Sequence, residues 1–274
     1  MTLSVPPDRP VPEPVVVFLR DAARAAASAG VSCAVGGALG RELLLGHVFG
    51  EDASGGATEA DLLVGAADRA AQERLADALA GGGAFAPAAG EGRRLVHGAS
   101  GVRVALLPGG VGAGASGVVA AAAAAVPVAV REDLTVPVVA LAAQSLLELA
   151  AWLDGREAAR RDGRGLLALL RHYAAAGNED RLYGEEAELL GACGFDPELA
   201  GGRLLARDAV RQCGAAPVRT LLDRMSVAHW RELSDAALGG AQDAGSPTDE
   251  ARARELVVAY WDELNEAFAA APPH

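Results

Sequence analysis

The stretch GATEADLLVG, Gly56 to Gly65, sets two acids two residues apart, Glu59 and Asp61, directly before the apolar run Leu62-Leu63-Val64. A short apolar run bounded by glycines reads as a buried strand. Residues i and i+2 of a strand point to the same side, so Glu59 and Asp61 share a face at the strand's entry. Hard divalent cations such as Mg²⁺ take carboxylate oxygens. With a third acid from a neighbouring strand, two such acids can hold the metal pair that clamps attacking and leaving oxygens in phosphoryl transfer. The plainer alternative is a pair of solvated loop acids.

Upstream, VSCAVGGALGRELLL (Val31–Leu45) reads as a buried strand, CAVGG, feeding a tight turn and then a helix. Gly36 and Gly37 there serve either as a generic turn or as a place where a triphosphate approaches backbone N–H groups closely. GGALG lacks the spacing of a dinucleotide fingerprint. Downstream, Asp68 caps an amphipathic helix over Asp68–Ala80. After a loose GGGAFAPAAGEG come two strand candidates, RRLVHG and VRVALLP. A first helix over residues 15–29 completes an α-β-α-β-α-β-β order, which predicts a mixed α/β domain over residues 15–135. Residues 1–14, rich in proline, are expected to be an extended, flexible lead. From Pro137 the texture becomes helical, so residues 136–274 are expected to form an all-α domain, with a loop over Leu238–Glu250.

The composition limits the chemistry. The chain has 274 residues, 51% of them hydrophobic and 4% aromatic, with a net charge of −12. No general basic surface invites nucleic acid or an anionic membrane. All 24 basic residues other than histidine are arginine, so mechanisms needing a lysine are excluded. Cys33, Cys193 and Cys213 are too scattered for a zinc site or disulfide frame. The N-terminus lacks the order of a signal peptide, and Pro127 interrupts the alanine-rich Val118–Val130 run well short of the roughly 20 residues of a membrane span. A cytoplasmic protein without a membrane partner is expected. The histidines are scattered, no Ser-His-Asp arrangement is recognisable, and Trp152, Trp230 and Trp261 sit at helical positions that suit a core.

Taken together, these segments resemble the nucleotidyltransferases of the DNA polymerase beta superfamily, and within it the AbiEii/AbiGii-type branch, which includes toxins of toxin–antitoxin and phage-defence systems. VGGAL resembles the family's glycine pair, GGATEADLLV its metal-binding acid strand, and VALLPGG (Val104–Gly110) the strand carrying its third acid. PVVALAAQSLLELAAWLDGREAARRDGRGLLALLRHY resembles the segment with the family's helical lysine and basic-Asp pair. EDRLYGEEAELLGACGFDPELAGGRLLARDA resembles the helical tail of related bacterial proteins. The resemblance implies a nucleotidyltransferase-like α/β domain followed by helices. It implies Glu59 and Asp61 as Mg²⁺ ligands, Glu59 giving way to Ala60 if the strand is shifted by one. Gly36, Gly37, Arg156 and Arg161 would then contact a nucleoside triphosphate. Arg156, Arg160, Arg161 and Arg164 also fit a solvated helix face partnered by Glu157 and Asp162.

Three departures stand where the family's chemistry should be. Ala105 replaces the third acid, Glu148 the lysine, and Gly165 a later acid, while Leu106, Leu107, Leu146, Leu147 and Trp152 keep the apolar skeleton. Losing individual charge-stabilising groups typically costs ~10² or more in rate each. The expectation is therefore a degenerate scaffold that binds a nucleotide, or a protein partner such as an antitoxin. The alternative is an active Mg²⁺-dependent enzyme that transfers a nucleoside monophosphate to an RNA end or a protein hydroxyl. An acidic interaction module for a basic partner is a third reading.

Overall fold

The computed structural model describes residues 2–51, 56–65, 69–88, 94–107, 115–154, 163–239 and 247–271. The chain divides into two compact units, Met1–Ala140 and Leu141–His274. The first is α/β around a mixed eight-stranded sheet and the second is helical. The change of texture at Pro137 falls inside the last strand of the first unit.

In the first unit, β1 (Leu3–Ser4) precedes α1 (Glu13–Ala29), β2 (Cys33–Gly36) and α2 (Gly37–Glu42), which continues as a π-helical stretch, Leu43–Phe49. Then come β3 (Glu59–Val64), α3 (Arg69–Gly81), β4 (Phe85–Pro87), β5 (Leu95–His97), β6 (Arg103–Leu107), α4 (Ala115–Ala123), β7 (Ala125–Arg131) and β8 (Leu134–Val139). The strand order is β1-β7-β8-β2-β3-β6-β5-β4. Strand β3 is central, antiparallel to β2 and parallel to β6. Its run of apolar residues is buried on both sides, the pattern of an interior strand covered on both faces. Helix α1 buries Phe18, Leu19, Ala22, Ala25 and Ala26, one apolar stripe, and ends where Gly30 adopts the left-handed conformation (φ 61°).

Several expectations change here. The lead is extended, but it is tied down: β1 pairs with β7, and Val11 is buried. Two main-chain pairings and one buried valine hold a segment whose prolines supply little else. The helix after Asp68 begins at Arg69, while Asp68 itself lies outside the described residues. Strands β1, β4, β7 and β8 and helix α4 are additions to the predicted order. Within the alanine-rich run, Ala115–Ala123 is helix and Ala125–Arg131 strand, because Pro127 cannot sit inside a helix but is tolerated in a strand near an irregularity, and β7 carries one at Ala129/Arg131.

The helical unit comprises α5 (Leu141–Asp154), α6 (Arg164–His172), α7 (Glu179–Tyr183), α8 (Ala187–Ala192), α9 (Pro197–Cys213), α10 (Ala215–Arg224), α11 (Val227–Gly239) and α12 (Pro247–Ala270). Of the expected loop over Leu238–Glu250, the first two residues belong to α11 and the last four to α12, and residues 240–246 lie outside the described ones. Helix α9 is the hub, packed against α5, α6 and α12. Asp196 caps it by accepting the Leu199 N–H at 3.0 Å, with Pro197 in the first turn. A methyl group at Gly201 would come within 2.8 Å of the Ala174 Cβ, so the close approach there requires glycine. Trp152 and Trp230 are in this core, and Trp230 packs on Trp261 with ring centroids 4.1 Å apart.

The helical unit is further held by an ion-pair network along α9. Asp208 is buried and accepts hydrogen bonds from Tyr173 (2.6 Å) and from both Arg181 amino groups (2.7 and 2.9 Å). Burial works to raise its carboxyl, but the Arg181 and Tyr173 hydrogen bonds outweigh it and hold the group below the usual carboxylate range. Arg207 joins Glu186 and Glu263, and Arg203 donates to Glu263 at 2.7 Å.

Burial pushes the Cys33 and Cys213 thiols up to about 12. Because only the thiolate is nucleophilic, neither is expected to be labelled by iodoacetamide at pH 8 in the folded protein, and both are expected to react in urea. Peptide mapping of the alkylated residues checks this.

Candidate functional site: the acid row of the central sheet

The sheet register decides what surrounds the two acids. Gly36 pairs with Asp61 across β2 and β3, and Asp61 pairs with Ala105 across β3 and β6. Glu59 pairs with Arg103 in the same parallel ladder. Antiparallel β5 and β6 match Leu95 with Val104, which brings the next residue, Arg94, level with Ala105. One row on one face therefore reads Gly36, Asp61, Ala105, Arg94. The neighbouring row sets Glu59 beside Arg103. This register gives Glu59 and Asp61 the shared face expected of them.

The side chains give each acid a different setting. The Glu59 carboxylate accepts a hydrogen bond from Arg103 Nη2 at 2.6 Å and lies 3.8 Å from Arg94 Nη1. Since β6 lies between β5 and β3, Arg94 crosses β6 to reach Glu59. Residue 105 on β6, level with Arg94, carries only a methyl group. The Asp61 carboxylate is nearly buried and leans over the turn after β2. A Cβ at Gly37 would sit 2.6 Å from Asp61 Oδ2 and 2.9 Å from its Cγ, and the Gly37 backbone is left-handed at φ 65°. Gly37 is thus glycine for two independent reasons. Gly36 is close-packed as well, its missing Cβ lying 2.8 Å from Leu63 Cδ1. The loop before β3 is anchored where Glu42 accepts the Ala57 N–H.

In the helical unit, Glu148 and Gly165 are neighbours. A Cβ at Gly165 would lie 2.6 Å from Glu148 Cδ and 2.7 Å from Oε2, so the Glu148 carboxylate would have to shift if residue 165 carried a side chain. Arg156, Arg160, Arg161 and Asp162 lie outside the described residues. Arg164 opens α6.

Among the described residues, no group of three or more His, Cys, Asp or Glu side chains converges in a way that could hold a metal ion. The donor set at the acid row fits a divalent metal poorly: Glu59 is already engaged by two guanidinium groups, and Ala105 offers no oxygen. No described helix is long and apolar enough to cross a membrane.

Sequence reading found no Ser-His-Asp arrangement, yet the structure contains one. His97 Nε2 lies 3.2 Å from Asp21 Oδ2, and His97 Nδ1 lies 2.8 Å from Ser100 Oγ. The Ser100 N–H also points at Nδ1 (3.2 Å), which assigns the proton to Nε2, where it is donated to Asp21. The ring is 1% exposed and packs edge-on against Phe18, with Phe85 beside it. Three contacts on one turn, plus the Val102 N–H on Ser100 Oγ (3.2 Å), make this a tie between α1 and the β5–β6 hairpin. Ser100→Ala is expected to cost about 1–2 kcal/mol of stability, measured by urea denaturation followed by circular dichroism. The signal was invisible in sequence because Asp21 is 76 residues from His97.

Compared with known proteins, the chain matches no protein-family model, no curated protein and no solved structure.

Proposed function

We propose that this chain is a nucleotidyltransferase-like protein of the DNA polymerase beta type, resembling the AbiEii/AbiGii branch, that has lost nucleotidyl transfer and uses the scaffold to bind a nucleotide or a protein partner. The observation that supports it is the row Gly36, Asp61, Ala105, Arg94: the position in line with Asp61 carries a methyl group, and the next carries a cation. Phosphoryl transfer through a metal pair needs negative ligands at such positions. The resemblance points the same way: it places a phosphate-facing lysine where this chain has Glu148, and a carboxylate there would repel a trianionic substrate.

Incubation with labelled nucleoside triphosphates, Mg²⁺ or Mn²⁺, and RNA or cell lysate tests the reading. No transfer of label is expected. Transfer that disappears in Asp61→Ala would establish the alternative, an active Mg²⁺-dependent nucleotidyltransferase acting on an RNA end or a protein hydroxyl. Calorimetry separates the two binding versions, since absence of triphosphate binding leaves only a protein partner, such as an antitoxin.

A further inference from the structure

We propose that the outer face of α7 and α8 docks a basic amphipathic segment of a partner protein, with apolar side chains seated on Tyr183 and Phe195 and cations facing Glu185 and Glu188. The inference concerns the helical unit and goes beyond the reading of the acid row, on which it does not depend. The two short helices pack on each other and on α9. Their inward side is fully used. Leu182, Leu189 and Leu190 are buried, Arg181 pairs with Asp208, and Glu186 pairs with Arg207 and Arg211.

The outward side is left open. Tyr183 is 65% exposed and Phe195 75%, two of the four large apolar side chains in solvent among the described residues. Tyr183 ends α7 and Phe195 follows α8 by three residues, so the two rings stand before and after the exposed face of α8. On that face Ala187, Gly191 and Ala192 are exposed, and a Cβ at Gly191 would meet nothing within 4 Å. Phe195 has a left-handed backbone (φ 63°), alone among the described residues other than glycine. A bulky side chain is strained there, and such strain concentrates at binding sites. Glycine within a helix is also unfavourable where nothing approaches its backbone. Contacts within the described chain offset neither cost, because the ring lies in solvent and the glycine faces open space. An exposed aromatic side chain is the usual anchor of a protein interface.

Charge selects the partner. Glu179 and Asp180 lie four and three residues before Tyr183 on α7, the spacing that puts them on its side of the helix. Glu185 and Glu188 follow it. All four carboxylates are exposed, and none has a cationic partner among the described residues. Such a rim repels nucleic acid, an anionic membrane and a second copy of this acidic chain, and it attracts lysine and arginine.

The probe is a fluorescein-labelled peptide of leucine and arginine at amphipathic helical spacing, beside a second peptide with glutamate for every arginine. Fluorescence anisotropy with the full-length protein is expected to show binding of the first, weakened by salt, and none of the second. Phe195→Gly and Tyr183→Ser are each expected to weaken binding about tenfold, and Gly191→Leu to block it. Glu185→Gln with Glu188→Gln is expected to weaken binding and flatten its salt dependence. Asp77→Asn with Glu132→Gln, which removes two exposed carboxylates from the α/β unit, is expected to leave the affinity unchanged. Phe195→Gly is also expected to be at least as stable as the unaltered protein in urea, because glycine takes φ 63° without strain. Lower stability in that variant makes the ring part of the fold and overturns the inference. No binding of the basic peptide overturns it too, as does binding that both carboxylate pairs weaken equally, which is general attraction between opposite charges. Phosphatidylserine vesicles held through Tyr183 and Phe195, or a dimer in analytical ultracentrifugation that Phe195→Gly dissociates, assign the face to a membrane or a second copy and overturn it as well.

Discussion

Replacing Asp208 by alanine is expected to destabilise the helical unit by about 3–5 kcal/mol, the usual result of removing one partner from a buried ion pair. Asp208 is almost completely buried and receives Tyr173 and both Arg181 amino groups, while Arg211 Nη1 lies 3.2 Å away on the next turn of α9. Removing it leaves a buried phenol without its acceptor and a half-buried guanidinium that keeps only Asn178 Oδ1 (2.8 Å) of its side-chain acceptors here. All three tryptophans, Trp152, Trp230 and Trp261, belong to this unit, so tryptophan fluorescence in a urea titration reports on it alone. Because the folded Asp208 carboxyl lies below the usual range, its contribution is present above the ordinary carboxylate pKa of about 3.9. It is lost as pH falls through the folded value. The unaltered protein is therefore expected to lose stability on acidification below about pH 4, and Asp208→Asn to lose less over the same interval. A loss under 1 kcal/mol in Asp208→Ala would show that the network is not cooperative.

Gly37→Val is expected to destabilise the α/β unit by a comparable amount. A non-glycine residue held in the left-handed region costs roughly 1–2 kcal/mol. Overpacking against a fixed neighbour adds typically about 1–3 kcal/mol, and here that neighbour is the Asp61 carboxylate, 2.6 Å from where the new Cβ would stand. The α/β unit contains no tryptophan, so hydrogen exchange of β2 and β3 amides is the suitable measurement, with faster exchange expected over residues 33–36 and 59–64. The two costs can be told apart. In Gly37→Ala the added Asp61→Ala should recover the packing part and leave the backbone part, a coupling that a double-mutant cycle measures. If the two substitutions add without coupling, the carboxylate is not what excludes a side chain at residue 37.

Much of the architecture follows from local sequence. The strand at Leu62-Leu63-Val64, the strand ending in Gly36-Gly37, the helix over Arg69–Gly81 and the helical texture beyond Pro137 are each carried by periodicity and punctuation within a dozen residues. The strands that escaped, β1, β4, β7 and β8, are short or sit in Pro- and Ala-rich stretches, where a few main-chain hydrogen bonds to a distant partner outweigh weak local preference. His97 needed Asp21 from α1 and Ser100 from the next turn, and no spacing rule joins those positions.

For the candidate site, the sequence by itself determined which residue types are present: two acids at i and i+2, a glycine pair upstream, an alanine at 105, and arginine as the only permanent side-chain cation. Tertiary structure alone decided what those residues do to one another. Register across β2, β3, β6 and β5 aligned Gly36, Asp61, Ala105 and Arg94, and it turned Glu59 into the partner of two arginines. The physical reason is that a charge is given its role by what lies within a few ångströms, and strand pairing brings together residues that are tens of positions apart along the chain.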